Sequence, residues 1–249
     1  MNKILVIPDV HGRTFWEDAV SKHLNDCDKI IFLGDYIDEY PDENITRNQS
    51  KENFEKIIKL KQDNLDKVVL LLGNHDLHYI SDNFTKSSRR SSSHARTYKE
   101  MFLSHMSFFK IAHEEIINDK KFLFTHAGVM KSWYDRNKET IGELTVDNLN
   151  KLQNFKGGIL ALGEVSKYRS WLGENSGSPI WSDVREKIDD DKSEIGHVVD
   201  NDDSSVDEYD YQIFGHTLLT KNPIITDKWT CLDCKRAFLI DNEGNIKES

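Results

Sequence analysis

The sequence predicts an α/β fold with parallel strand pairing. Three observations carry that expectation. Short, strand-sized apolar runs recur along the 249 residues, a segment with helical spacing separates the early ones, and the runs end in glycines or polar, ligand-type side chains.

Taken in order, residues 3–7 read as a buried strand and 14–24 as a helix. "KIIFLG" (29–34) is a second strand, short, apolar and closed by Gly34. In the following segment Phe54, Ile57, Ile58 and Lys61 fall at helical spacing, which predicts a helix over about 49–62. "KVVLLLGN" (67–74) is a third buried strand, and the strand–helix–strand alternation points to parallel neighbours. "DNFTKSSRRSSSHAR" is polar, Ser-rich and basic, and reads as a loop, either a solvated surface or a guide for an anionic substrate. A helix over 96–111 follows, whose aromatic residues are read as core. Residues 120–128 form a fourth strand with a turn, and helices are predicted near 145–155 and 159–171. The acidic stretch 186–210 reads as an exposed loop, since it lacks the spacing and central glycine of an EF-hand. Residues 211–217 give a fifth strand, and the tail closes as a hairpin around 242–245. With no repeat and no linker, residues 1–249 read as a single domain.

Composition narrows the function classes. A net charge of −10 argues against a broad basic face for nucleic acid or anionic membrane. No apolar run is long enough to span a bilayer, and the N-terminus has no signal-peptide pattern. Three cysteines make no disulfide framework, which points to a reducing, cytoplasmic setting. The Cys-x-x-Cys at Cys231 and Cys234 has no second pair, so reduced thiols are preferred to a metal clip.

The strand ends carry the chemistry. Asp9 and His11 follow Ile7; Asp35 and Asp38 follow Leu33; Asn74, His75 and Asp76 follow Leu72; His126 follows Phe124; His216 follows Phe214. The C-terminal ends of parallel strands lie together, and ligand sites form there. Carboxylate, imidazole and amide oxygen without thiolate suit Mn, Fe, Zn or Ni rather than a structural zinc site. The ligands are too many for one ion, and two ions sharing a carboxylate would sit roughly 3.5–4 Å apart.

In the order "DVHG", "GDYID", "GNHD", "THAG" and "GHT", the chain resembles the calcineurin-like metallophosphoesterases over nearly its whole length. It looks most like the branch of phosphoprotein phosphatases and symmetric dinucleoside-tetraphosphate hydrolases. "GHTL" stands in place of Gly-His-x-His, and "PIWSDVR" (179–185) resembles that branch's Trp-Ser-Asp segment. The resemblance implies two packed mixed β-sheets flanked by helices, an α/β/β/α sandwich. It implies a binuclear centre of divalent ions, manganese first, with Asp9 and His11 on the first ion, Asp35 bridging, and Asn74, His126 and His216 on the second. His75 would be the general acid and Asp38 its orienting partner, with a metal-bridging hydroxide attacking phosphorus in line. The implied substrate is phosphorylated: a phosphoprotein, a nucleotide or a small phosphate ester. Hydrolysis of a dinucleoside polyphosphate or another phosphoanhydride or phosphodiester is the alternative.

Three positions depart from that pattern. Pro8 stands for Gly, and Asp76 for Glu. Glu39 stands where the phosphoprotein phosphatases carry the arginine that forks onto the substrate phosphate. Glu donates no hydrogen bond and repels phosphate. Another side chain must then supply the grip, with Arg185 first, then Arg13, then the Arg89/Arg90 pair. Four of the ten histidines, His11, His75, His126 and His216, lie in motifs; of the others, His78 is placed to reach the site.

Overall fold

In the computed structural model, residues 3–169, 175–193 and 198–249 are described. The elements in chain order are β1 (Ile4–Ile7), α1 (Phe15–His23), β2 (Lys29–Phe32), α2 (Arg47–Asp63), β3 (Val68–Leu71), α3 (Asn74–Ile80), α4 (Ala95–Ser104), β4 (Phe109–Lys110), β5 (Ala112–Ile117) and β6 (Lys120–Thr125). There follow α5 (Lys131–Ile141), α6 (Val146–Lys151), α7 (Lys156–Leu162), β7 (Tyr211–Phe214), β8 (Ile224–Ile225), β9 (Trp229–Cys231), β10 (Phe238–Ile240) and β11 (Ile246–Glu248). The chain forms two compact units, Met1–Asp82 with Lys86–Lys110 and Lys235–Ser249, and Asn83–Thr85 with Ile111–Cys234. Each contains one mixed sheet with helices, which is the predicted fold class.

In the first unit the strand order is β11-β10-β1-β2-β3-β4. The pairs from β1 to β4 are parallel, while β10 and β11 run antiparallel. β1 and β3 are buried at every residue, which is why their sequences are unbroken apolar runs rather than alternating ones. Helix α2 opens with a capping box: Gln49 N–H donates to Thr46 Oγ1 at 3.2 Å, and Thr46 N–H to Gln49 Oε1 at 2.9 Å. Its apolar face carries Phe54, Ile57 and Ile58, and Phe54 stacks on Tyr36 with centroids 5.1 Å apart. The closing hairpin of β10 and β11 is as expected from the sequence.

In the second unit the order is β5-β6-β7-β9-β8, with β6, β7 and β9 parallel. Phe214, Trp229, Cys231 and Val184 form an apolar cluster there.

Several expectations are corrected. The helix predicted over 96–111 stops at Ser104, and Phe109–Lys110 forms an edge strand beside β3. Helix α5 and strands β5, β8 and β9 were not expected. β5 reads "AHEEII", whose charges suit an edge strand rather than a buried run. The helix predicted over 159–171 is centred earlier, at Lys156–Leu162, and its last residues lie outside those described. The acidic stretch is not wholly exposed: Lys187, Ser204, Val206 and Tyr209 are buried. His197 also lies outside the described residues.

Candidate metal centre

In the first unit the loops after β1 and β2 are tied to each other through backbone bonds. His11 N–H donates to the Asp35 carbonyl at 2.7 Å, and Gly12 N–H to that of Tyr36 at 3.0 Å. The loops after β2 and β3 approach so closely that a Cβ on Gly34 would fall 2.5 Å from the Gly73 nitrogen, and one on Gly73 would fall 2.1 Å from Asp35 Oδ1. Only glycine fits at either position. Asp76, in the first turn of α3, gathers these ends. Its Oδ2 accepts from the N–H groups of Gly73 and Asp35, each at 2.8 Å, and its Oδ1 from Tyr36 N–H at 3.1 Å.

This arrangement brings Asp9, His11 and Asp35 together, with ligand atoms all within 4.8 Å of one another. All three are buried. His11 Nδ1 donates to the Ile37 carbonyl at 2.9 Å, so the lone pair is on Nε2, 3.4 Å from Asp35 Oδ2. Burial, followed by the charges of His75, Arg89 and Arg13, holds His11 well below the usual imidazole range. Burial and then the neighbouring Asp9 push Asp35 well above the usual carboxylate range. A neutral imidazole beside two crowded, desolvated carboxylates is a donor set that fits a divalent cation. Asn74 donates from Nδ2 to Ser87 Oγ at 2.7 Å, which turns its amide oxygen away from Ser87.

Beside this cluster stands a hydrogen-bonded acid–base array. Asp38 Oδ2 lies 2.9 Å from His75 Nδ1 and 2.9 Å from His78 Nε2, and Oδ1 accepts from the Tyr79 hydroxyl at 2.6 Å. Burial opposes charge on Asp38, but the His75 and His78 bonds outweigh it and hold the carboxyl at about 2. Burial pushes His75 down to about 4 against the opposite pull of Asp38. Ser87 N–H donates to His78 Nδ1 at 3.1 Å, so the His78 proton is on Nε2 and faces the carboxylate.

Sequence reasoning missed Arg47. Its Nε lies 2.9 Å from Glu39 Oε1 and its Nη1 3.3 Å from Asp38 Oδ1. The signal was available: the capping box starting at Thr46 places Arg47 at the first helical position, where the macrodipole disfavours a cation. The third-ranked candidate, Arg89, has Nη2 3.4 Å from both His11 Nε2 and His75 Nε2. Arg13, by contrast, donates from Nε to Glu43 Oε2 at 2.7 Å. His11, Asp35, Asp38 and Arg89 all have positive φ, between 46° and 62°, backbone strain of about 1–3 kcal/mol each that gathers at this cluster.

In the second unit His126 and His216 are paired, Nε2 to Nδ1 at 3.0 Å, and both are buried. His216 also has positive φ, 66°. The "PIWSDVR" segment lies against this pair, with the Trp181 ring edge-on to His216 at 5.9 Å and Ala127 N–H donating to the Pro179 carbonyl at 2.7 Å. Arg185 forks onto Asp183, Nε to Oδ1 at 2.8 Å and Nη2 to Oδ2 at 2.9 Å.

Another ligand-type group, His23, Asp26 and Cys27, does not fit a metal. Lys3 already ion-pairs with Asp26, and burial pushes the Cys27 thiol up to about 11.

Comparison with known proteins agrees with this geometry. Residues 2–219 match the family described as calcineurin-like phosphoesterase. No curated protein matches the chain. A protein serine/threonine phosphatase from Saccharomyces cerevisiae is similar in fold, with a TM-score of 0.56 and 15% identity over 99% of this chain and 79% of that one. A hypothetical protein from Pyrococcus horikoshii OT3 gives a TM-score of 0.46 and 13% identity over 100% and 87%. An archaeal phosphodiesterase gives 0.38 and 11% over 99% and 98%. The chain, with its strand-end carboxylates and imidazoles, belongs to the calcineurin-like phosphoesterases, hydrolases that use divalent metals on phosphate esters.

Proposed function

We propose that the protein is a two-metal phosphomonoesterase of the serine/threonine protein phosphatase kind, acting on a phosphoprotein, a nucleotide or a small phosphate ester. The observation that carries this reading is the His75–Asp38 bond at 2.9 Å in the unit that also holds the buried Asp9, His11 and Asp35 cluster. Asp9, His11 and Asp35 are the proposed ligands of one ion, and Asn74, His126 and His216 those of a second, on the strength of the motif order. Divalent ions, manganese first and iron, zinc or nickel as alternatives, would supply Lewis acidity that activates water and neutralises phosphoryl charge.

The side chains do the rest. In its doubly protonated, cationic form His75 passes the Nε2 proton to the leaving oxygen as the ester bond breaks. Asp38 accepts from Nδ1 and stabilises the cationic ring. Burial of the pair keeps competing water away from that bond. Three free, buried cysteines support a cytoplasmic setting, and no helix among the described residues is long and apolar enough to cross a membrane.

Glu39 supports a second reading, hydrolysis of a phosphodiester or phosphoanhydride such as a dinucleoside polyphosphate, because its charge disfavours a dianionic monoester. Arg47 offsets that charge at 2.9 Å, which favours the monoesterase. Phosphate release from an aryl phosphate with Mn²⁺, set against a bis-aryl phosphate and diadenosine polyphosphates, separates the two. The expected result is monoester preference, with His75→Ala slower by about 10²–10⁴. Equal rates for wild type and Asp9→Asn on every substrate would sink both readings.

A further inference from the structure

We infer that Arg89 is the side chain that grips the substrate's phosphoryl group, replacing the arginine whose position Glu39 occupies. This deepens the phosphoesterase reading above and rests on it. Arg89 Nη2 lies 3.4 Å from His11 Nε2 and 3.4 Å from His75 Nε2. The first nitrogen is the metal-facing atom of its ring, and the second is the proton-delivering atom of the proposed acid. A phosphoryl group held between a cation on His11 and the acid His75 therefore meets this guanidinium.

Arg89 is also pre-organised. Its Nε donates to the Asp38 carbonyl at 3.0 Å, and its own carbonyl accepts from Arg47 Nη2 at 3.1 Å. The guanidinium carbon lies 3.8 Å from the centre of the Tyr40 ring, and that ring stands edge-on to His11 at 5.1 Å. The loop is fastened on both sides of the residue. Ser87 donates from N–H to His78 Nδ1 at 3.1 Å and from Oγ to the Asn74 carbonyl at 3.0 Å; Ser91 donates from N–H to the Tyr79 hydroxyl at 2.7 Å. A merely solvated basic loop needs none of these bonds. Fixing the side chain beforehand removes ordering cost at binding.

The rival arginines are engaged with carboxylates. Arg185 spends its fork on Asp183, Arg13 its Nε on Glu43, and Arg47 its Nε and Nη1 on Glu39 and Asp38. Among the described residues Arg89 forms no such ion pair; with its Nε on the Asp38 carbonyl, its terminal Nη1 and Nη2 stay clear of carboxylates for an end-on bidentate contact with phosphate.

Inorganic phosphate binding to the Mn²⁺-loaded protein, by isothermal titration, tests the assignment alongside metal content and melting temperature. Arg89→Ala should weaken phosphate by about 10- to 100-fold with metal content unchanged. Arg89→Lys should recover only part, because a point charge cannot fork. Tyr40→Leu, which keeps the guanidinium and removes its platform, should weaken phosphate less than Arg89→Ala, and Tyr40→Phe hardly at all. Phosphate affinity of Arg89→Ala within about twofold of wild type overturns the assignment. So does loss of metal in that variant, which would make Arg89 a support for His11, and so does a wild type that binds no phosphate. A wild type that binds phosphate through Arg89 yet hydrolyses no ester would leave the assignment standing and overturn the hydrolase reading alone.

Discussion

His75 and His78 reach the same oxygen: His75 Nδ1 and His78 Nε2 each lie 2.9 Å from Asp38 Oδ2. His75 keeps its far nitrogen 3.4 Å from Arg89 Nη2, while His78 is anchored at its far nitrogen by Ser87 N–H. On the proposed function, His78 is a positioning residue that keeps Asp38 ionised and aimed. His78→Phe is expected to lower kcat by about tenfold with KM little changed, less than the loss for His75→Ala. A change in KM alone would contradict that role.

On the proposed function, Arg47 makes Glu39 tolerable near the phosphate. Arg47→Ala leaves the Glu39 charge buried without its 2.9 Å partner. KM for a monoester should rise by about tenfold, and Glu39→Gln in the same background should reverse most of the rise. If the second change gives no recovery, repulsion by Glu39 is not the cause.

Lys187 gives a pH signature in the second unit. It is fully buried, with Nζ 3.3 Å from the carbonyls of Val129 and Ser204. Burial pushes its ammonium down to about 8 from the ordinary 10.5. Between those values the unfolded chain holds the proton and the folded one has released it, so stability rises with pH across the window. Below about 8 both states are charged and the full burial cost applies. Chemical denaturation of wild type against Lys187→Met should show the difference moving in favour of wild type by about 3 kcal/mol from pH 8 to 10.5. A flat difference would show that Lys187 keeps its ordinary affinity for the proton.

Metal loading should be visible without any substrate. Manganese at about one hundred times its Kd adds about 2.7 kcal/mol, or roughly 5–10 °C in melting temperature. Chelation should remove the gain, and Asp35→Asn should show little of it. An unchanged melting temperature in wild type would contradict the donor set around His11.

The strand ends were legible because burial on both faces leaves uninterrupted apolar runs, so a polar residue at their edge stands out. Asp9 and Asp35, which the structure brings beside His11, were picked out that way, as was Asn74, which the structure places against Ser87. Helix α5 was not, since "KSWYDRNKETI" carries its apolar residues among many charges. The strand at Phe109–Lys110 was absorbed into the preceding helix because two residues show no period. Arg47 was passed over when the start of α2 was placed at Gln49 rather than at its Thr46 cap. Arg89 was named but ranked behind Arg185 and Arg13, because spacing does not reveal that Asp183 and Glu43 already occupy those two.

Asp76 has the widest consequence. Because one carboxylate clasps three backbone amides from two neighbouring strand ends, the chain's own bonds hold those ends in place. Exchange of the proposed ion should then need no search through chain conformations, and the stripped and loaded forms should superimpose around Gly34 and Gly73.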